Sequence, residues 1–360
     1  MPRVPETGLA RLTPTRHDAA TVTTPKTSLT GIKPTATPHL GNYLGAIRPA
    51  LRLADRYRTI YFIADYHALT TLRDPQALQG YIYDVAATWL ASGLDPDKTI
   101  FFRQSQVIEV FELAWILSCL FGTGQLLRGH SYKDAIAKGQ KDPNAGITFY
   151  PMLMAADILL YDTHVVPVGK DQKQHLEVAR DVAGRFNHHF GETLVVPEPL
   201  ISDAPLVPGT DGTKMSKSKG NAIPLFAPPK QLRKLIMSIK TGSEGLDDPK
   251  DPDTSTVWQL CQQLAPQAAV PMAEKLRQGV GYGWGHAKHD FFEAIEAELA
   301  PMRERFEALR QDEAQLDETL AMGAAKARAI AQTTMGRVRE AVGIRRPLNS
   351  EKATVQLKKR

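Results

Sequence analysis

Two stretches of this 360-residue chain carry side chains suited to handling phosphate groups. The first, residues 30–48, reads Thr-Gly-Ile-Lys-Pro-Thr-Ala-Thr-Pro-His39-Leu-Gly-Asn42-Tyr-Leu-Gly45-Ala-Ile-Arg48. Its apolar residues Leu40, Leu44 and Ile47, with Leu51 beyond, fall on one face of a helix. His39 and Asn42 then stand at the helix start, where free backbone N–H groups and the helix dipole favour an anion. Gly41 and Gly45 lie one turn apart and leave room for close approach of a ligand. The second stretch, residues 213–220, is Thr-Lys214-Met-Ser-Lys217-Ser-Lys-Gly, a polar, lysine-rich loop far down the chain. On spacing alone, a nucleotide-phosphate site and a plain βα turn with a surface histidine explain the first stretch equally well.

A third stretch offers different chemistry. Tyr150-Pro-Met-Leu-Met-Ala-Ala-Asp157-Ile-Leu-Leu-Tyr161 places one carboxylate inside an apolar helical run. Leaving a buried carboxylate unpaired costs on the order of several kcal/mol, so Asp157 needs a partner. That partner is either a structural arginine, lysine or backbone donor, or a donor brought by a ligand. An Asp157 neutralised by a basic residue, with no hollow beside it, would remove the reason for the second reading.

The elements that must position these residues alternate short apolar strands with helices, the pattern of an α/β sheet. Strands are expected at residues 29–32, 59–64, 99–102, 165–168 and 193–196. Pro34 and Pro38 break the first strand into a fixed-φ loop. In open parallel sheets ligands bind beyond the carboxyl ends of strands, which makes Asp65 and His67 site candidates beside their plainer reading as a capping carboxylate and a packed ring. Gln104 and Ser105 end the third strand. Residues 109–120 form an apolar helix with Trp115, read as core or a subunit contact. Gly169 permits a tight turn, and Asp171 either caps the next helix or binds a ribose hydroxyl. From residue 228 the pattern turns helical, at 231–239, 257–264, 289–309 and 316–341.

His39-Leu-Gly-Asn42 resembles a variant of the HIGH motif, and Lys214-Met-Ser-Lys-Ser218 matches the KMSKS motif, of class I aminoacyl-tRNA synthetases. Residues 150–161 and 164–187 resemble the tryptophanyl-tRNA synthetase family in particular, and the resemblance spans roughly 29–346. It implies a Rossmann-like parallel-sheet nucleotide-binding domain with an all-helical C-terminal domain. It also implies a ligase that activates L-tryptophan with ATP and Mg²⁺ and charges tRNA-Trp as a homodimer. His39, Asn42, Lys214 and Lys217 would be the catalytic groups. ATP would meet Lys33, Pro34, Thr35 and Gly41 in the first loop, Gly169, Lys170 and Asp171 after the fourth strand, and Leu206, Met215, Ser216 and Ser218 around the second. Asp157 would accept the indole N–H, with Tyr150, Met154, Gln172 and His67 around the amino acid. Lys33 and Ala36 replace residues more usual in relatives, which bears on the backbone beside ATP. A tyrosyl-tRNA synthetase and, from another class, a small-cofactor adenylyltransferase are the alternatives.

Composition sets outer bounds. Net charge is +5, with ten lysines and arginines against two glutamates from residue 324 onward; that end carries +8 and the rest of the chain −3. A basic end of this kind suits a polyanion such as RNA, or is a solvated helix face with a loose tail. The two cysteines, Cys119 and Cys261, fit a reducing cytoplasm and allow neither a disulfide framework nor a cysteine metal cluster. No apolar run approaches the ~20 residues of a membrane span, and neither membrane nor DNA is expected as a partner. Residues 1–28 read as a disordered extension, 29–222 as the catalytic domain with a connective insertion at about 122–150, 223–346 as an anticodon-binding domain, and 347–360 as a basic tail.

Overall fold

Side chains on β2 alternate between two cores, which tells at once that both faces of the sheet are covered. The computed structural model describes residues 25–137, 139–169, 173–201 and 206–344. Among these, β1 (Thr27–Ile32), β2 (Arg58–Ile63), β3 (Ile100–Arg103), β4 (Val165–Val168) and β5 (Glu198–Ile201) form one sheet. All pairings are parallel, in the order β3-β2-β1-β4-β5. The chain reverses its direction of strand addition between β1 and β4, so a crevice opens at their carboxyl ends.

The connections are helical. After β1 come α1 (Leu40–Asn42), a π-helical turn (Tyr43–Ile47) and α2 (Arg48–Leu51). Pro49 has no N–H to give the carbonyl of Gly45, which accounts for the widened turn. Then follow α3 (Asp65–Ala68), α4 (Pro75–Ala91), α5 (Glu109–Ser118), α6 (Thr123–Leu127), α7 (His130–Ala137), α8 (Ala145–Leu159) and α9 (Lys173–Phe190). The C-terminal helices are α10 (Pro229–Met237), α11 (Thr256–Leu264), α12 (Pro266–Gln278), α13 (Trp284–Gln311) and α14 (Glu313–Ala341). Tyr61 and Ile63 pack with Leu40, Ile47, Trp89 and helices α10 to α13. Ile60 and Phe62 face α5, α8, α9 and the second half of α14.

Four features depart from the sequence reading. Strand β1 begins at Thr27 rather than at 29. The last strand is Glu198–Ile201, not 193–196; Pro199 disguises it, and an edge strand tolerates proline. Helix α12 went unread because Pro266 and Pro271 suggest a loop, yet Pro266 occupies the first turn where no N–H is needed. The basic residues of α14 point inward. Arg328 pairs with Glu109 at 2.8 Å, Arg337 with Asp162 at 2.5 Å, Arg339 with Glu112, and Lys326 donates to the Pro96 carbonyl at 3.1 Å. These four cations dock α14 on the sheet domain, and the other six of that end lie outside the described residues.

Helix α14 lies against the edge strand β3, and Gly323 allows it to come so close. A Cβ there would stand 1.8 Å from the Phe101 carbonyl oxygen, a backbone atom that cannot swing away. Gly323→Ala is therefore expected to destabilise the protein by about 3 kcal/mol, the upper range for overpacking, although alanine is the better helix former. Thermal unfolding of the variant checks this, and an unchanged or raised Tm would refute it.

Candidate active site

The loop after β1 and the loop before α10 meet at the crevice. His39 opens α1 and its N–H donates to Asn42 Oδ1 at 3.0 Å, while the Asn42 N–H returns to the His39 carbonyl at 2.8 Å. This reciprocal pair fixes the start of the helix. Residues just beyond the lysine loop stitch to the same turn: Leu40 N–H donates to the Ile223 carbonyl at 2.8 Å, and His39 bridges Pro224. The two glycines differ in use. Gly41 sits under the lysine loop, its N–H 3.2 Å from Met215 Sδ, and a Cβ there would press on His39 and Met215. Gly45 lines a cavity, and nothing lies within 4 Å of where its Cβ would be.

The lysine loop is shaped by a residue that no motif flagged. Asn221 is buried; its Oδ1 accepts the Ser216 N–H at 2.8 Å, and its Nδ2 donates to Asp211 Oδ1 at 2.7 Å and to the Lys214 carbonyl at 3.2 Å. Met215 is buried and its N–H donates to the Val207 carbonyl at 2.9 Å. Lys217 begins a 3₁₀ turn closed by Gly220, whose φ is +67°. The Lys217 ammonium reaches across and donates to the Thr37 carbonyl in the first loop. Ser216 and Ser218 share a hydroxyl bond at 2.9 Å, and Leu206 is exposed. Lys33 lines the cavity from the other side; its Nζ donates to Thr70 Oγ1 at 2.9 Å, and burial holds its ammonium below the ordinary lysine pKa. Pro34 is buried and Thr35 exposed in the same loop.

Burial, and then the charge of Lys217, lowers the His39 imidazole from 6.5 to about 4. It is neutral at pH 7. The folded chain binds this proton less readily than the unfolded chain does, so the associated stability is complete above pH 6.5 and is lost as pH falls from there toward 4. The expected result is a flatter stability curve for His39→Asn than for the native chain over that window. Denaturation midpoints across it provide the check; parallel curves would place the proton elsewhere.

Asp157, on α8, is buried with 2% exposure, but it is not unpaired. His67 Nε2 lies 2.8 Å from its Oδ2, and Gln104 Nε2 donates to both oxygens at 2.8 and 2.9 Å. The partners are thus a ring and an amide, neither of the two kinds expected from the sequence. A carboxylate has about four acceptor positions, so these three contacts leave capacity for one more donor. Burial raises the Asp157 pKa above the usual carboxylate range, opposed by the His67 and Gln104 bonds. Tyr150 packs edge-on against His67 with ring centroids 4.9 Å apart, and its hydroxyl is 3.7 Å from Met154 Sδ. A cavity of about 790 Å³ runs beside them, lined by Asp157, His67, Tyr150 and Met154, by Lys33 and Gly45, and by Gly169 at the end of β4. Asp65 is occupied otherwise: it accepts the N–H and hydroxyl of Ser105 and so joins the ends of β2 and β3. Lys170, Asp171 and Gln172 lie outside the described residues.

A parallel sheet with two cationic loops that meet each other and a cavity lined by a buried acid is paralleled among known proteins. The sequence profile of tRNA synthetases class I (W and Y) matches residues 21–317. The chain belongs to this family. A tryptophan–tRNA ligase of Xanthomonas axonopodis pv. citri is 48% identical over 340 residues, which are 91% of this chain and 78% of the relative. One from Neisseria meningitidis serogroup A is 45% identical, covering 89% of this chain and 98% of its own. The crystal structure of tryptophanyl-tRNA synthetase from Campylobacter jejuni complexed with ADP and tryptophan aligns with a TM-score of 0.83 at 42% identity, over 88% of this chain and 99% of that one. Within this synthetase, Gln104 and Asn221 are the site residues that motif reading passed over. Gln104 had a usable signal, its place at the carboxyl end of a parallel strand. Asn221 had none, because its partners are set by the folded loop.

Proposed function

We propose that this synthetase is a tryptophan–tRNA ligase. It joins L-tryptophan to ATP, giving tryptophanyl-adenylate and pyrophosphate, and then transfers the aminoacyl group to tRNA-Trp. The observation that carries this reading is the cavity that Asp157, bonded to Gln104, and His67 line at one part of its wall and Lys33 at another. Indole offers one donor and no acceptor, which suits a carboxylate with one open acceptor position.

In the first step a carboxylate oxygen of tryptophan attacks the α-phosphorus, and the bond from that phosphorus to the oxygen bridging to the β-phosphate breaks. No protein nucleophile is required. The chain contributes position and charge: His39 and Asn42 set the helix start, and Lys217 and Lys214 face the leaving pyrophosphate. Mg²⁺ belongs with the nucleotide. Among the described residues no three acidic, histidine or cysteine side chains come together to hold a metal, and magnesium characteristically rides on substrate phosphates. In the second step a ribose hydroxyl of the tRNA 3′ end attacks the acyl carbonyl and AMP leaves. Residues 29–222, with the insertion at about 122–150, serve the chemistry, and residues 223–346 serve the anticodon. The reading includes a cytoplasmic reaction, which the two unpaired cysteines fit. ATP–pyrophosphate exchange measured with tryptophan and with tyrosine tests the reading. Exchange that depends on tyrosine would overturn it.

The same proposal includes a homodimer. Ile108, Phe111 and Trp115 lie at spacings of three and four along the start and outer face of α5, exposed by 58%, 43% and 73%. Exposed apolar side chains grouped in this way mark a contact surface. Trp115→Glu is expected to convert a dimer to a monomer in sedimentation velocity at micromolar concentration. A native protein that sediments as a monomer would dispose of the dimer.

A further inference from the structure

A carboxylate on α4, outside every motif, ties three parts of the molecule together. Asp84 Oδ2 accepts the Thr37 hydroxyl at 2.5 Å, and Asp84 Oδ1 accepts Arg310 Nε–H at 2.9 Å. Thr37 is thereby held by its side chain while its carbonyl receives the Lys217 ammonium. The Asp84 side chain is only 17% exposed, and its charge favours the charged form of Lys217 against the burial that lowers it. Arg310 lies in the last turn of α13, 5.6 Å over the Tyr83 ring, and bonds Glu313 at the start of α14 at 2.9 Å.

An ion pair that merely fastened α4 to α13 would need Asp84 and Arg310 alone. The Thr37 arm adds nothing to that fastening. Thr37 is exposed, and holding its loop in one conformation costs backbone entropy on the order of 1–2 kcal/mol per residue. Its backbone partner across the crevice is the lysine loop.

We propose that Asp84 is a positioning residue for Lys217, acting through Thr37, and that Arg310 makes this position depend on the junction between α13 and α14. The proposal rests on the reading of Lys217 as a phosphate-facing group. It gives the helical C-terminal region a physical connection to the nucleotide side of the site: movement of the α13 end shifts Asp84, then the Thr37 carbonyl, then the lysine.

The test is ATP–pyrophosphate exchange by the full chain carrying Asp84→Asn, Thr37→Val or Arg310→Met, each alone and combined with Lys217→Ala. Asp84→Asn and Thr37→Val are expected to raise the KM for ATP by about tenfold, the scale of one charge-assisted contact, while the KM for tryptophan stays within about twofold. Thr37→Ser should restore the native value. In the Lys217→Ala background the Asp84 and Thr37 changes should add nothing, because groups acting through one another are not additive. Arg310→Met should show the same pattern with a smaller rise. The proposal is overturned by an unchanged KM for ATP, by equal rises in both KM values, or by a full further loss in the Lys217→Ala background. Should Asp84→Asn fail to fold, the exposed Thr37 decides alone. Native exchange by Lys217→Ala itself would instead remove the reading of that lysine, a separate outcome.

Discussion

Lys217→Ala is expected to slow tryptophan-dependent ATP–pyrophosphate exchange by about 10²–10³-fold, or ~3–4 kcal/mol of barrier, the loss usual for one preorganised donor at a developing charge. The reasoning is geometric. Lys217 is anchored at its backbone by a 3₁₀ turn and at its head by the Thr37 carbonyl, so its ammonium is already aligned across the crevice. Lysine is a compact point charge with a long reach, able to follow a phosphate as it becomes pyrophosphate. The effect should fall on kcat more than on tryptophan binding, because the charge matters most as the leaving group forms. Tryptophan binding measured by fluorescence titration should therefore be retained in the variant. Exchange near the native rate would show that the lysine is an onlooker.

Asp157→Asn should lower kcat/KM for tryptophan by about 10³-fold or more, with the KM for ATP little changed. Two costs add. The new amide nitrogen must face either the Gln104 amide nitrogen, which donates to both native oxygens, or the His67 ring 2.8 Å from Oδ2. A buried donor left against a donor costs about 1–3 kcal/mol. On the proposed reading the substrate indole N–H also loses a charged acceptor, and sites built to bond a substrate group discriminate by several decades when that match is broken. Steady-state kinetics with each substrate varied separately gives the answer. A fall in ATP affinity as large as that for tryptophan would mean that the substitution unsettles the whole crevice. A variant with native tryptophan kinetics would detach the acid from substrate recognition.

The sequence was most informative where candidate groups share a short, contiguous loop. His39, Asn42, Lys214 and Lys217 lie in segments whose own turns and helix starts dictate their shape, and the two loops do meet. The parallel sheet was legible because buried strands read as apolar runs between helices. The exceptions are instructive. β5 is an edge strand with Pro199 and mixed exposure, so its local pattern resembles a loop. Asp157 could be seen to need partners, but their identity rests on β2 and β3 ending side by side, which no local pattern encodes. The arginines of α14 read equally as an RNA-facing patch or a solvated helix face, and only the fold reveals Glu109, Glu112 and Asp162 opposite them.

The embrace of β3 by α14 has a consequence for how the protein is made. The strands lie between residues 27 and 201, whereas the helix that covers the β3 margin spans 313–341. A ribosome delivers the chain from its amino end, at roughly 5–20 residues per second. For the time needed to add the residues from 202 to 341, the newborn sheet shows a row of unpaired N–H and C=O groups that could recruit a neighbouring chain. Until α14 arrives, the β3 margin of the growing polypeptide stays open to such pairing.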